Sequence, residues 1–176
     1  EPAVLLLQDL ARGERLGVLV DPGGLQGRGV GHQRVPVGPD HRKLLALNAP
    51  SGSAGSHGTH VAGTVAGDSG TNNDLRGVAY LARIVHNLYP SPLNGPQTFD
   101  RLTTHHNQGA RVHTNSWGND GTTSYDALCR AFDEFQWNNE DSMVTLAVTN
   151  QSSLKNPENA KNLLACGATD PVPGQE

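Results

Sequence analysis

The sequence predicts a three-layer α/β sandwich with a mainly parallel sheet, built as one domain. At 176 residues the chain can bury one substantial core, whereas a second complete domain would need a longer chain. Short apolar runs alternate with amphipathic stretches, which is typical of βαβ units and of a sheet covered on both faces. The 21 glycines and 11 prolines indicate many turns and close backbone contacts rather than disorder.

The elements follow from the spacing of the apolar residues and of the turn signals between them. The predicted strands, each a short apolar run bounded by turn residues, are 15–20, 43–47, 81–88, 110–115, 142–150 and 162–170. The predicted helices are 56–67, 97–108 and 122–139, the last with Tyr125, Leu128, Phe132 and Phe135 at helical spacing. In a parallel sheet, functional residues gather beyond the carboxyl ends of the strands, so the residues that follow these runs are the candidates for a site.

Composition and charge exclude several classes of function. A net charge of −4 and an isoelectric point near 6.0 argue against nucleic acid as the main partner. No apolar run approaches the ~20 residues that span a bilayer. Cys129 and Cys166 lie in apolar contexts and are expected to be free core thiols. The chain opens at Glu1 and stops shortly after a predicted buried strand, so we expect residues 1–176 to be part of a larger domain.

The stretch SHGTHVAGTVAG (56–67) admits several interpretations. His57 and His60 have the spacing of half a zinc site, but no carboxylate or cysteine pattern completes the set, so we expect no metal there. Ser56 fits the N-cap of a helix. A nucleophile elbow at Ser56 would need a strand running directly into it, and a loop precedes it. Each of the three glycines costs roughly 1 kcal/mol against alanine in a helix, which a sequence accepts when another backbone passes close by.

Several ordered motifs resemble those of the subtilases, the subtilisin-like serine proteases. HGTHVAGTVAG (57–67) is very close to the histidine motif of that family, and ARVHTNSWG (110–118) resembles the segment that lines its substrate groove. RGVAYLARIVHNL (76–88) and NAKNLLACGATD (159–170) are similar to two of its strand entries. The resemblance implies a subtilisin-like fold and a serine endopeptidase that cleaves polypeptide substrates through an Asp-His-Ser triad. Residues 1–176 would then be a partial peptidase domain.

The resemblance assigns the base and its orienting carboxylate. In the family the base is the first histidine of the motif, which implies this role for His57 and a structural role for His60. The orienting aspartate ends the first core strand in a D-[ST]-G pattern, which Asp21 and Gly23 match. Pro22 departs from that pattern, and proline fixes φ and removes a backbone N–H. The alternatives are a capping or solvent-facing histidine at His57 and a simple turn residue at Asp21.

The resemblance also implies an oxyanion donor at Asn150, which follows a predicted buried strand. Thr149 and Ser152 stand where the family has glycine. One such side-chain donor contributes on the order of 3 kcal/mol in the transition state, so its loop must be accurately placed. The alternative is a turn asparagine after a strand. Asn150, Gln151 and Ser152 also form a glycosylation acceptor, and a glycan at this position would block the site.

Ser116, Trp117 and Gly118 match the extended backbone that hydrogen-bonds the substrate in the family, a form of β-augmentation. Trp117 equally fits a core residue. The resemblance implies no cofactor; the loop 67–74 offers Asp and Asn oxygens for structural calcium, but no ligand pattern fixes an ion there. The partner is a polypeptide, without nucleic acid or a membrane segment in this chain, and the resemblance implies a secreted or exported protein.

The nucleophile of the family, a serine within GTSMA, has no counterpart among the ten serines of this chain. We therefore expect the nucleophile to lie outside residues 1–176. Because the members of a triad act as a unit, the chain alone should not hydrolyse peptides through a triad. Two hypotheses remain: a serine endopeptidase of which this is the first part, or a peptide-binding pseudoprotease, which Pro22 and Thr149 favour.

Overall fold

The computed structural model describes residues 15–20, 43–48, 56–67, 76–88 and 92–169, and within them it contains one six-stranded sheet. Its strands are β1 (Arg15–Val20), β2 (Leu44–Asn48), β3 (Arg83–Leu88), β4 (Val112–Asn115), β5 (Met143–Ala147) and β6 (Leu164–Cys166). They follow the spatial order β2-β3-β1-β4-β5-β6, and every neighbouring pair is parallel. The predicted parallel α/β sheet is confirmed.

In the part of the chain that the structure describes, three helices cover this sheet: α1 (Ser56–Ala66), α2 (Gly95–Asn107) and α3 (Ala127–Asn138). Asn94 caps α2 by accepting a hydrogen bond from the Gln97 N–H at 2.9 Å. Asp126 caps α3 through the Leu128 N–H at 2.8 Å, so this helix begins five residues after the predicted start at 122. None of these helices is long and apolar enough to cross a bilayer.

The buried side chains form two apolar clusters on opposite faces of the sheet. The cluster on the α1 face consists of Leu44, Ala62, Ala66, Ala79, Ala82, Ile84 and Val112. The cluster under α2 and α3 consists of Leu102, Leu128, Phe132, Phe135, Val144 and Leu146. Paired residues of parallel strands share a face of the sheet, and successive residues of a strand point to opposite faces. In the pairing of β4 with β5, Val112 and Val144 are offset by one residue, so they point to opposite faces. The arrangement is the predicted three-layer sandwich.

Another stretch of backbone passes close to α1, as the glycines in the sequence of this helix predict. The Gly77, Val78 and Ala79 N–H groups donate to carbonyls of the last turn of the helix and of Gly67, at 2.7–3.0 Å. A Cβ on Gly77 would lie 2.6 Å from the Gly67 nitrogen, closer than side-chain carbons approach backbone. This segment leads directly into β3, and it thereby fixes α1 against the sheet.

The polar core contains two stacked histidines between α2 and the sheet. His105 and His113 are fully buried, with ring centroids 5.8 Å apart and planes within 10°. Phe135 meets His113 edge to face at 5.1 Å. Within the described part of the chain, neither ring has a hydrogen-bond partner for either nitrogen. Such groups are stable in the core only as neutral imidazoles.

Both cysteines are free, but the expectation that both belong to the core is wrong for Cys166. Cys129 is fully buried at the start of α3, whereas Cys166 is exposed. Among the described residues β6 is an edge strand of the sheet, and its three residues are all exposed; apolar sequence context alone does not reveal an edge.

Candidate active site

The carboxyl ends of the central strands lie at one edge of the sheet, where Ser116 and Asn150 follow two of them. β1, β4 and β5 are parallel neighbours, so their carboxyl ends lie side by side. Ser116 directly follows β4, and Asn150 follows β5 by three residues. Asp21 directly follows β1 in sequence but lies outside the described residues, as does Pro22. Its position relative to His57 therefore stays a prediction.

His57 lies in the first turn of α1 with an exposed ring. Its Nε2 is 2.9 Å from the Ser116 carbonyl oxygen and 3.1 Å from the Ser116 Oγ. A carbonyl only accepts, so in the shorter contact the Nε2 carries a hydrogen and donates it to the Ser116 carbonyl. The structure thus joins the predicted base to the first residue of the predicted substrate-binding segment, across 59 positions of sequence. His60 is also exposed, three residues further along α1.

The described residues contain no group of three or more His, Cys, Asp and Glu side chains that could hold a metal ion. The loop 67–74, which offers oxygens for structural calcium, lies almost entirely outside the described residues, so calcium binding there stays an untested hypothesis.

The segment 116–118 is anchored from beneath. Trp117 is half-buried and packs against Phe132 of α3 with ring centroids 5.8 Å apart, while its Nε1–H donates to Asn115 Oδ1 at 3.3 Å. Trp117 packs against the apolar cluster under α2 and α3, and the role of the segment 116–118 in holding a peptide stays a prediction. Gly118 is exposed.

Asn150 is exposed on a loop after β5. The Val148 N–H donates to the Cys166 carbonyl at 2.9 Å, and the Thr149 N–H donates to the Glu158 carboxylate at 2.8 Å. The backbone leading to Asn150 is therefore hydrogen-bonded at both preceding residues. An exposed amide at the carboxyl edge of the sheet has the chemistry to stabilise an oxyanion.

Two buried carboxylates behind this loop were not predicted. Glu158 and Asp133 are 5% and 8% exposed, and each accepts hydrogen bonds from backbone N–H groups of the segment 149–162. The Asp133 bond to Tyr125 raises the pKa of that phenol. Glu158 lies in the polar run KNPENAKN, which is typical of a surface segment, so the sequence gives no sign that it is buried. Asp133 does give such a sign, because it lies among the apolar residues of an amphipathic helix.

The chain is similar in sequence to known proteases. The profile of the subtilase family matches residues 46–175. Two proteins of Dictyostelium discoideum are similar, the serine protease/ABC transporter B family proteins tagA, 24% identical over 155 residues, and tagD, 31% identical over 153 residues. These matches cover 77% and 75% of this chain but 9% and 8% of the relatives, so the chain spans less than a tenth of their length.

Solved protease structures have the same fold. The prenylagaramide maturation protease PagA superimposes with a TM-score of 0.65 at 22% identity, covering 97% of this chain and 60% of that one. The S218A mutant of the protease domain of PatA gives a TM-score of 0.61 at 21% identity, covering 89% of this chain and 58% of that one. At these identities the likeness concerns the fold, and it extends over nearly the whole chain.

Proposed function

The chain belongs to the subtilase family, and on that premise we propose that it is the first part of the catalytic domain of a serine endopeptidase that cleaves polypeptides. The observation that carries the proposal is the contact of His57 Nε2 with Ser116 at the carboxyl edge of the sheet. It supports a base placed directly beside the segment that follows β4, which a substrate can join as an extra strand. In this proposal Asp21 orients His57, and Asn150 stabilises the oxyanion.

The reaction follows from these positions. A peptide adds as an extra strand along the backbone of 116–118, which brings its scissile carbonyl beside His57. His57 Nε2 accepts the proton of the serine hydroxyl as the oxygen attacks that carbonyl, and the Asn150 amide donates to the oxyanion. His57 then passes the proton to the leaving amine, and water releases the acyl group by the reverse sequence. The serine comes from a segment outside residues 1–176.

The base must change its hydrogen bond before it can act. A general base needs a free Nε2, with the hydrogen on Nδ1 facing the carboxylate, whereas the contact with the Ser116 carbonyl needs the hydrogen on Nε2. A substrate N–H that bonds to the same carbonyl would compete with His57 for it. We therefore expect substrate binding to favour the catalytic tautomer.

A peptide-binding pseudoprotease is the second candidate. Pro22 and Thr149 depart from the catalytic pattern of the family, and no serine of this chain has the GTSMA context. The groove at 116–118 would serve binding equally well, since β-augmentation uses backbone groups that do not depend on a nucleophile.

The deciding experiment expresses the protein together with the downstream segment of its gene and treats it with a serine-directed phosphonate. We expect labelling of the protein, loss of labelling in His57→Ala, and retained labelling in the control His60→Ala, because a serine is weakly nucleophilic without its base. Residues 1–176 alone should stay unlabelled. A longer protein that folds, contains the GTSMA serine and stays unlabelled would establish the pseudoprotease instead.

A further inference from the structure

A buried carboxylate ties together the two ends of the loop that carries Asn150. Glu158 is 5% exposed. Its Oε2 accepts a hydrogen bond from the Thr149 N–H at 2.8 Å, and its Oε1 accepts one from the Lys155 N–H at 2.6 Å. Both oxygens are thus used by backbone groups that flank residues 150–154. Hydrogen bonds to an ionised carboxylate are roughly twice as strong as neutral ones.

The loop between these two bonds lies on the surface. Residues 150–154 are all exposed, so apolar packing does not hold them. Thr149, which Glu158 holds, is the residue directly before Asn150. The position of the Asn150 amide therefore depends on the Thr149 backbone, and the Thr149 backbone is hydrogen-bonded to Glu158.

The segment 156–162, from which this carboxylate projects, is itself fixed to α3. At one end Asn156 is buried, and its Nδ2 donates to the Asp126 carboxylate at 2.8 Å. At the other end the backbone N–H groups of residues 161 and 162 donate to Asp133 Oδ1 at 2.8 and 2.7 Å. The support therefore runs from a core helix to the segment, and from the segment through its carboxylate to the loop.

We propose that Glu158 is a positioning residue for Asn150, whose loop it holds in place through the Thr149 backbone; this inference rests on the proposed function. A donor contributes to catalysis only when it is held in place before the charge develops, and small misplacements lose much of its effect. A glutamine at this position would keep one acceptor oxygen, but its NH₂ group would face one of the two backbone N–H groups. One of the two bonds is lost, while the size of the side chain is unchanged.

The test compares Glu158→Gln with the control Glu140→Gln in the longer protein that contains the serine. Glu140 is exposed in the turn before β5, so its substitution changes the charge equally without touching the loop. The substrate is a fluorogenic peptide selected from a mixed library as one that the unmodified protein cleaves. We expect Glu158→Gln to lower kcat by about tenfold or more with KM changed by less than about twofold, since the lost interaction belongs to the transition state. Glu140→Gln should change neither.

A double-mutant cycle separates positioning from general structural damage. In an Asn150→Ala background, adding Glu158→Gln should lower kcat by less than about twofold, because both changes act through the same amide. Active-site titration with the phosphonate corrects each value for unfolded protein. An unchanged kcat in Glu158→Gln, or an equal loss in both backgrounds, would overturn the proposal.

Amide hydrogen exchange distinguishes this failure from failure of the proposed function. Glu158→Gln should raise the exchange rate at Thr149 or Lys155 in the same protein, whatever its activity, because one of these N–H groups loses its acceptor. Faster exchange together with normal turnover would reduce Glu158 to a structural role. Faster exchange in a protein that has no turnover before mutation would instead refute the protease assignment and leave the restraint on the loop intact.

Discussion

Acidification from pH 7.5 to pH 5.0 should strongly destabilise this protein, because His105 and His113 are buried as neutral rings. Burial lowers the pKa of each imidazole from 6.5 to about 3. Repulsion from neighbouring basic groups is part of this lowering: His86 and Arg101 lower the pKa of His105, and His105 itself, with His106 and Arg111, lowers that of His113. Neither ring has a hydrogen-bond partner in the described part of the chain that would favour its charged form.

The direction in which pH changes the free energy of unfolding follows from proton binding. Between pH 6.5 and pH 3 the unfolded chain binds protons at these histidines and the folded chain does not, so the free energy of unfolding falls as the pH falls through 6.5. For each histidine, the free energy of unfolding falls by about 1.4 kcal/mol per pH unit below the pKa of the ring in the unfolded chain. At pH 5.0 this amounts to about 2 kcal/mol for each ring and about 4 kcal/mol for the pair. A domain is stable by only about 5–15 kcal/mol, so the loss is a large fraction of the whole.

Urea unfolding at a series of pH values between 7.5 and 5.0 measures this slope. The double variant His105→Leu and His113→Leu should flatten it by up to about 3 kcal/mol per pH unit, since leucine does not titrate. Asn138→Leu, which introduces the same side chain at an exposed residue that does not titrate, is the control and should leave the slope nearly unchanged. The reasoning fails if the double variant and the unmodified protein have the same slope, or if NMR finds that both rings titrate near pH 6.5 in the folded protein.

Two further substitutions test the packing that supports the site. Gly77→Ala should destabilise the protein by about 2 kcal/mol or more, because the new Cβ would meet backbone atoms of α1 and Gly67 at 2.6–2.7 Å. Gly167→Ala, with open space around it, is the control. Equal urea midpoints for the two variants would contradict the close approach. Asp133→Ala should destabilise the protein by about 2–4 kcal/mol because two backbone N–H groups and the Tyr125 hydroxyl lose their charged acceptor. The exposed neighbour variant Glu134→Ala is the control, and the account would be wrong if thermal unfolding showed both variants to be equally stable.

Local signals in the sequence were sufficient for the fold class. Apolar runs alternating with amphipathic stretches predicted the parallel sheet, and the glycines of the histidine motif predicted the close backbone at Gly77. The family motifs placed His57 and Ser116 on separate elements that the structure brings within hydrogen-bond distance. Predicted strands such as 142–150 were too long, because an apolar run continues past the last residue that finds a partner strand.

What the sequence by itself determined is the type and order of the elements, since periodicity, caps and motifs act between residues close together in the chain. Only the tertiary structure decided which surfaces are covered. Cys166 is exposed because β6 is an edge, His105 is buried because α2 turns that face toward the sheet, and Glu158 is buried because α3 holds its segment beneath the Asn150 loop. Burial of a polar group depends on partners distant in sequence, and those partners meet only when the chain has folded.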